Sequence, residues 1–369
     1  MQTHPGRTAL LFADAADAWM AHGARSLLHA RAAWARLAHG QAPISWIAGP
    51  ATLHTVVADG KLARLLHYAP QGQSERRGAP VLVVASLINR YYVLDLLPEL
   101  SFIAGLVARG LDVYVLDWKA PGAAGPDLRF ADYVDGAIPE AARTAAARHG
   151  AKNVLVLGYC MGGTMSALLA ARHPELVRGL TVLGAPIDFH ASGMFADWTR
   201  RERFDADLLI DAYGNMPPSL LQSGFQLLNP VDAIAKNVHF FNAGGDERRL
   251  RHMVALQAWL EDNIAFPGGV YREYIGRLYQ DNALVRGELQ VGGTPVDLRR
   301  ITMPVLDVVA LRDHICAPPA ARALLDHVSS EDKRLLEFDT GHIGLTTSTR
   351  SQKELWPVIA DWFVAHAHA

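Results

Sequence analysis

Six residues, Gly158-Tyr159-Cys160-Met161-Gly162-Gly163, constrain the fold of this chain more than any other feature. They stand between a short apolar run, Val154 to Leu157, and an alanine- and leucine-rich stretch, Thr164 to Arg172. Small residues two before and two after a central nucleophile mark a strand that turns abruptly into a helix. A side chain on either flank would clash there, and the strained middle residue projects into a cleft. The middle residue here is cysteine, where serine is commoner. Attack by serine on a thioester leaves an oxygen ester and dissipates the activation of the acyl group. Attack by cysteine leaves another thioester of similar energy, still reactive toward an alcohol. Cysteine therefore suits acyl transfer, and serine suits hydrolysis.

The remaining pattern fits that turn. Thr52 to Val57 and Leu62 to Tyr68 read as paired strands joined through Asp59-Gly60. Strand-like runs follow at Val81 to Ala85, Asp112 to Asp117, Val154 to Leu157 and Leu180 to Gly184, with helices over Ser101 to Arg109 and Asp132 to His149. The rhythm breaks between about Asp188 and Asp297, a stretch rich in aromatics at helical spacing. It resumes with a strand at Val305 to Leu311, a helix near Ala320 to His327, a strand at Leu335 to Phe338 and a last helix from Gln352 to Ala367. Such alternation implies an α/β fold with a mostly parallel central sheet and helices on both faces. A helical insertion after the strand that follows the turn is the layout of an α/β-hydrolase fold carrying a cap. The expected division is an N-terminal helical segment over 1–50, including helix over Ala9 to Ala38, a core over 51–187 and 298–369, and a mainly helical cap over 188–297. The aromatics of the cap read as a helical core in preference to a binding wall.

Chain order in such a fold is nucleophile, acid, histidine. Downstream of Cys160, Asp313 lies just beyond the strand Val305 to Leu311, and His342 follows the strand ending at Phe338. Both positions are loops delivered to the carboxyl edge of the sheet, the edge that presents the turn. A thiol with pKa near 8.5 is only slightly ionised at neutral pH, so Cys160 needs an imidazole, and His342 is the candidate base. Asp313 would orient that imidazole or act on a second proton. The backbone N–H of Met161 is the first expected oxyanion donor, and the second is expected at Ile88 or Asn89. Cys316 reads as core or loop filling. Lys119, Arg90, Arg200 and Arg203 could meet the phosphates of a coenzyme, although each reads more simply as a solvated surface charge.

Composition excludes several classes. The chain has 369 residues, 50% of them hydrophobic and 20% charged, with a formal net charge of -2, so nothing favours nucleic acid as a partner. No apolar run reaches the length of a membrane span, and the opening residues lack a signal-peptide core. Two cysteines suit a reducing compartment better than a disulfide framework. A cytoplasmic enzyme is expected, with no metal and no cofactor.

From Ser86 to Trp362 the chain resembles the polyhydroxyalkanoate synthases, in particular the short class III catalytic subunits. The resemblance is carried by Ser86-Leu87-Ile88-Asn89-Arg90-Tyr91-Tyr92, Asp117-Trp118, the Gly158 to Thr164 motif and Pro186-Ile187-Asp188-Phe189-His190. Further matches are Tyr213-Gly214-Asn215-Met216-Pro217, Leu284-Val285-Arg286-Gly287-Glu288, Asp313-His314-Ile315 and Gly341-His342-Ile343-Gly344. The family implies polymerisation of (R)-3-hydroxyacyl-CoA, with short side chains suggested by the class, into a polyester with release of CoA. It implies Cys160 as nucleophile, His342 as its base, Asp313 as the third member and His314 in a supporting place near the site. It also implies association with the polyester granule surface and a second synthase subunit, of class III type or, alternatively, a class IV partner. The chain departs from the usual pattern at Ala85, Lys119, Ala317 and Thr340, and Thr340 bears on the tightness of the His342 turn. Two other readings stay open: a cysteine hydrolase, of dienelactone hydrolase or polyester depolymerase type, and an inactive scaffold subunit.

Overall fold

The computed structural model describes residues 49–70, 78–228 and 246–368. The helix expected over Ala9 to Ala38 lies outside the described residues. The chain divides into two compact units, one comprising 49–228 and 259–369. Of the other, the described residues are 246–258, which form most of the helix Glu247–Glu261.

Eight strands form the sheet of the larger unit: β1 (Thr55–Asp59), β2 (Ala63–Tyr68), β3 (Val81–Val84), β4 (Val113–Trp118), β5 (Val154–Tyr159), β6 (Val177–Leu183), β7 (Val305–Ala310) and β8 (Lys333–Phe338). Their spatial order is β1-β2-β4-β3-β5-β6-β7-β8. The β2 strand pairs antiparallel with both β1 and β4, and every other pairing is parallel. Continuous apolar runs such as Val81-Leu82-Val83-Val84 are buried on both faces, as parallel strands flanked by helices require. The first strand starts at Thr55, not Thr52, because Thr52 is engaged elsewhere. Its N–H and its hydroxyl both donate to the buried Asp95 carboxylate, at 3.0 and 2.6 Å.

Three helices position the site. Helix α1 (Phe102–Ala108) is capped by Ser101, whose hydroxyl accepts from the Ala104 N–H at 2.8 Å. Helix α2 (Ile138–Arg148) continues a π-helical turn over Asp132–Ala137 and buries Ala141, Ala142, Ala145 and Ala146. Helix α3 (Met161–Arg172) follows β5 directly and is buried almost throughout. Between β6 and β7 lie α4 (Gly193–Trp198), α5 (Ala206–Tyr213), α6 (Pro218–Leu228), α7 (Glu247–Glu261) and α8 (Gly268–Glu273), the last running on as a π-helix over Tyr274–Gln280. This insertion is not wholly helical. Gln290–Val291 and Thr294–Pro295 pair as a small hairpin around Gly292-Gly293, where helical spacing had been the dominant signal. The chain ends in α9 (Pro318–Arg322), α10 (Leu324–His327), α11 (Gly344–Thr347) and α12 (Trp356–His366).

One core residue breaks the apolar pattern. Asp307, in the middle of β7, is fully buried, and neither carboxylate oxygen has a hydrogen-bond partner among the described residues. Desolvation pushes its pKa well above the ordinary carboxylate range, only partly opposed by the Arg322 charge, so burial favours the neutral acid.

Candidate active site

The turn between β5 and α3 is built by steric exclusion. Cys160 sits at φ 56° and ψ -130°, a left-handed conformation that a non-glycine residue adopts only under constraint. A side chain at Gly162 would place its Cβ 2.1 Å from the Val84 carbonyl oxygen, and one at Gly158 would lie 2.6 Å from the Ser166 hydroxyl. Both contacts are impossible for a real Cβ, so α3 can pack against β3 and β5 only with glycine at those positions. The Cys160 N–H donates to the Leu183 carbonyl at 3.0 Å, and the Thr164 hydroxyl donates to the Pro186 carbonyl at 2.7 Å. Strand β6 thus fixes the strained residue from the side. Met161 is the first residue of α3, where a helix offers its N–H no intrahelical acceptor, as an oxyanion donor requires.

Asp313 and His342 come together at the same edge. His342 Nδ1 donates to Asp313 Oδ2 at 2.6 Å, and the two side chains are only 6% and 1% exposed. The other oxygen, Asp313 Oδ1, accepts from the backbone N–H groups of Ile315 and Cys316 at 2.9 and 2.8 Å. The carboxylate is therefore fully used, and it fixes the tautomer so that His342 Nε2 is the nitrogen left to exchange a proton. Burial alone pushes the imidazole pKa down. The Asp313 carboxylate, Tyr159 and Cys160 outweigh that effect and hold His342 well above its ordinary range. A raised imidazole pKa makes His342 a stronger base toward a thiol or hydroxyl proton.

Tyr159 and Gly184 support this pair, and neither was singled out from the sequence. The Tyr159 ring stacks on His342 with centroids 5.2 Å apart, and its hydroxyl reaches the His342 carbonyl at 3.4 Å. Burial pushes the Tyr159 phenol up to about 12, so it remains a neutral donor. Gly184 holds φ 56°, which disfavours any side chain, and a Cβ there would stand 3.1 Å from Leu345 and in contact with the His342 ring at 3.4 Å. The Gly158-Tyr159-Cys160 and Leu183-Gly184-Ala185 runs carried the signal, but only the folded contact assigns it.

Cys160 opens into a cavity of about 50 Å³. The core contributes Ile88, Met161, Pro186, Ile315 and Cys316 to its walls. The β6–β7 insertion contributes Phe195, Leu221, Phe225, Phe266, Tyr271, Tyr274, Ile275 and Tyr279. The aromatics are thus core and wall at once. They pack edge to face, as Phe195 and Phe189 do on Tyr279 with centroids 4.8 Å apart in each case, while the cluster as a whole faces the nucleophile. Cys316 is likewise more than filling, since its side chain lines the cavity and its N–H binds Asp313. A cavity of this size admits a few waters, each needing roughly 10–15 Å³. It is far below the roughly 300–1,000 Å³ of sites that take drug-sized ligands.

Of the two expected second donors, Ile88 lines the cavity and Asn89 does not. Asn89 turns away and donates through Nδ2 to Asn263 at 2.6 Å. Neighbouring contacts strap this loop to the insertion: Trp259 Nε1 donates to the Arg90 carbonyl at 2.8 Å and the Tyr92 hydroxyl to Asp262 at 2.8 Å. His314 is exposed and is not among the cavity-lining residues. The cations considered for phosphate binding are all engaged elsewhere. Arg90 is 3.4 Å from Asp262, Lys119 is 2.5 Å from Asp59, Arg200 is 2.6 Å from Asp197, and Arg203 donates to the Asp197 carbonyl at 3.4 Å. No helix among the described residues is long and apolar enough to cross a membrane.

Comparison with known proteins agrees with this architecture. Residues 80–348 match the family model of the alpha/beta hydrolase fold, and residues 49–106 match that of the poly-beta-hydroxybutyrate polymerase N-terminus. The chain is 38% identical over 314 residues to the poly(3-hydroxyalkanoate) polymerase subunit PhaC of Haloferax mediterranei, covering 85% of this chain and 64% of that protein, and so spans a little under two thirds of its length. It is 35% identical over 316 residues to the PhaC subunit of Allochromatium vinosum, covering 85% of this chain and 88% of that one. Among solved structures, the Mycobacterium tuberculosis protein BpoC, described as a non-heme bromoperoxidase, aligns with a TM-score of 0.53 at 15% identity, covering 85% of this chain and 98% of that one, which bears on the fold alone. The glycine-bounded cysteine turn, the buried Asp313–His342 pair and these relatives converge: the chain belongs to the poly(3-hydroxyalkanoate) polymerase family, built on the α/β-hydrolase fold.

Proposed function

We propose that this chain polymerises (R)-3-hydroxyacyl-CoA, with short side chains such as 3-hydroxybutyryl, into polyester through a covalent thioester on Cys160. The observation that carries the reading is the Cys160 thiol at a strained turn, beside an imidazole whose pKa a buried carboxylate raises, in a small apolar cavity. The Cys160 thiolate attacks the acyl carbonyl, the oxyanion rests on the Met161 N–H and a donor at Ile88, and the carbon–sulfur bond to CoA breaks. The departing CoA thiolate takes the proton held on His342 Nε2. In the second half-reaction neutral His342 removes the proton from a 3-hydroxyl, the alkoxide attacks the Cys160 thioester, and an ester forms as the thiolate is released.

The small cavity supports two further parts of the reading. A thioester intermediate lasts only if little water reaches it, and the aromatic walls on the insertion leave room for no more than a few waters. A volume of about 50 Å³ leaves no room for CoA, so the walls contributed by the insertion, residues 188–297 acting as a cap, must part for substrate to enter and for CoA to leave. A second synthase subunit of class III type and the granule surface are the partners that fit the family, with a cytoplasmic location at the granule. The test is a CoA-release assay on (R)-3-hydroxybutyryl-CoA with analysis of the precipitate and mass spectrometry of the protein, run with and without a class III partner. Polymer together with an acyl adduct on Cys160 is the expected result. Free acid without polymer would instead make the chain a hydrolase.

A further inference from the structure

A second cluster of reactive side chains lies at the opposite edge of the sheet. Cys160 follows the carboxyl end of β5, whereas Asp112 precedes the amino end of β4. His67, near the end of antiparallel β2, pairs in register with Tyr114 of β4 and so reaches the same edge as Asp112. His149 ends α2 and arrives there from the helical layer. One nitrogen of each imidazole and one oxygen of Asp112 all lie within 4.8 Å of one another. His67 Nε2 is 2.8 Å from Asp112 Oδ1, and His149 Nε2 is 3.8 Å from the same oxygen.

Those separations are close to what a metal needs. Donors bound tetrahedrally at about 2.0–2.1 Å stand about 3.4 Å from one another; the two separations to Asp112, 2.8 and 3.8 Å, bracket that value, and the two imidazole nitrogens, within 4.8 Å, must close by up to about 1.4 Å. The rings are already oriented. His67 stacks on Tyr114 at 4.4 Å with planes 12° apart, and the Tyr114 hydroxyl stands 3.1 Å from His149 Nε2, from where it can turn to a metal-bound water. The side chains of Asp112, His149 and His67 are 3%, 8% and 13% exposed, so the cluster is dry on its inner side and reachable past His67. Two imidazoles and one carboxylate suit Zn²⁺ and its first-row neighbours, and they suit Mg²⁺ and Ca²⁺ poorly.

We propose that His67, Asp112 and His149 bind one divalent transition metal ion of the Zn²⁺ class, with water completing its coordination. The ion ties β2, β4 and α2 together and takes no part in acyl transfer, because it sits across the sheet from Cys160. The site is independent of the polymerase reading.

The test uses the full chain carrying Cys160→Ala, so that the nucleophile cannot compete for metal. Titration with Co²⁺ is expected to give one equivalent bound with visible d–d absorption, and Zn²⁺ is expected to displace it and raise Tm. Asp112→Asn and His149→Gln are each expected to weaken Zn²⁺ binding by at least about tenfold. Absence of saturable binding below about 0.1 mM, or unchanged affinity in a folded His149→Gln variant, would overturn the proposal in favour of a purely hydrogen-bonded cluster. Should the variants not fold, carbethoxylation of the unsubstituted cluster decides: Zn²⁺ is expected to protect His67 and His149, and equal labelling with and without metal overturns the site.

Discussion

The turn at Cys160 and the aromatic insertion facing it are held in place by opposite means. At the turn, backbone is pressed on backbone: the Cβ of any residue at Gly162 would enter the Val84 carbonyl, and Cys160 is pinned by β6. In the insertion, rings pack edge to face, and its outer helices leave Leu208, Tyr213 and Leu227 70%, 59% and 61% exposed. Backbone contact cannot adjust without unfolding, whereas ring packing can slide. The nucleophile's geometry is therefore rigid and its covering adaptable, as a site needs that must hold a reactive bond yet admit a large substrate.

The sharpest way to break that contrast is chemical. Cys160→Ala is expected to abolish CoA release with the fold retained by circular dichroism. Cys160→Ser should lose about 10³-fold or more, because an alkoxide is much harder to generate than a thiolate. Turnover within tenfold of the parent would remove the thiolate from the mechanism. Next comes the rigid side: Gly162→Ala is expected to destabilise by more than about 4 kcal/mol, since helix and strand must separate to admit one methyl group. A denaturation midpoint near that of the parent would show that the turn adapts.

On the adaptable side, half-buried Phe225→Ala is expected to cost only about 1–3 kcal/mol. Its larger effect should be on chemistry, with faster hydrolytic loss of the acyl group from Cys160, followed by mass spectrometry. Unchanged acyl lifetime would mean that the aromatic wall does not exclude water.

A smaller effect sits in the pH dependence. The folded state raises the pKa of His342, so the pair with Asp313 contributes fully below about pH 6.5, the ordinary imidazole value, and that contribution is lost as pH rises through the folded value. The Tm difference between the parent and Asp313→Asn should thus be greatest near pH 6 and shrink at alkaline pH. A difference independent of pH would assign Asp313 a packing role alone.

Much of this was legible in the sequence for identifiable reasons. Parallel strands all end on one edge, so chain order alone brings Cys160, Asp313 and His342 to the same place, and the Gly158 to Gly163 spacing marks the nucleophile. What escaped depends on side-chain direction or on contacts between distant segments. Ile88 and Asn89 are neighbours that point to different surroundings, as are Asp313 and His314, and no spacing rule separates them. The stacking of Tyr159 on His342 arises only once β5 and β8 are assembled, and the bond from the Cys316 N–H to Asp313 depends on which way the Asp313 side chain turns within its own loop. The Gly292-Gly293 hairpin was visible as a turn signal, but helical spacing on its amino-terminal side dominated the reading.

The lone acid in the middle of β7 ties the stability of the whole domain to pH. Asp307 binds its proton more tightly folded than unfolded, so every rise in pH from about 3.9 toward its elevated folded value favours unfolding. An uncharged amide of the same shape feels no such pull. Asp307→Asn should consequently gain thermal tolerance over the parent as the buffer is made more basic, and parallel melting curves across pH would deny the carboxyl that role.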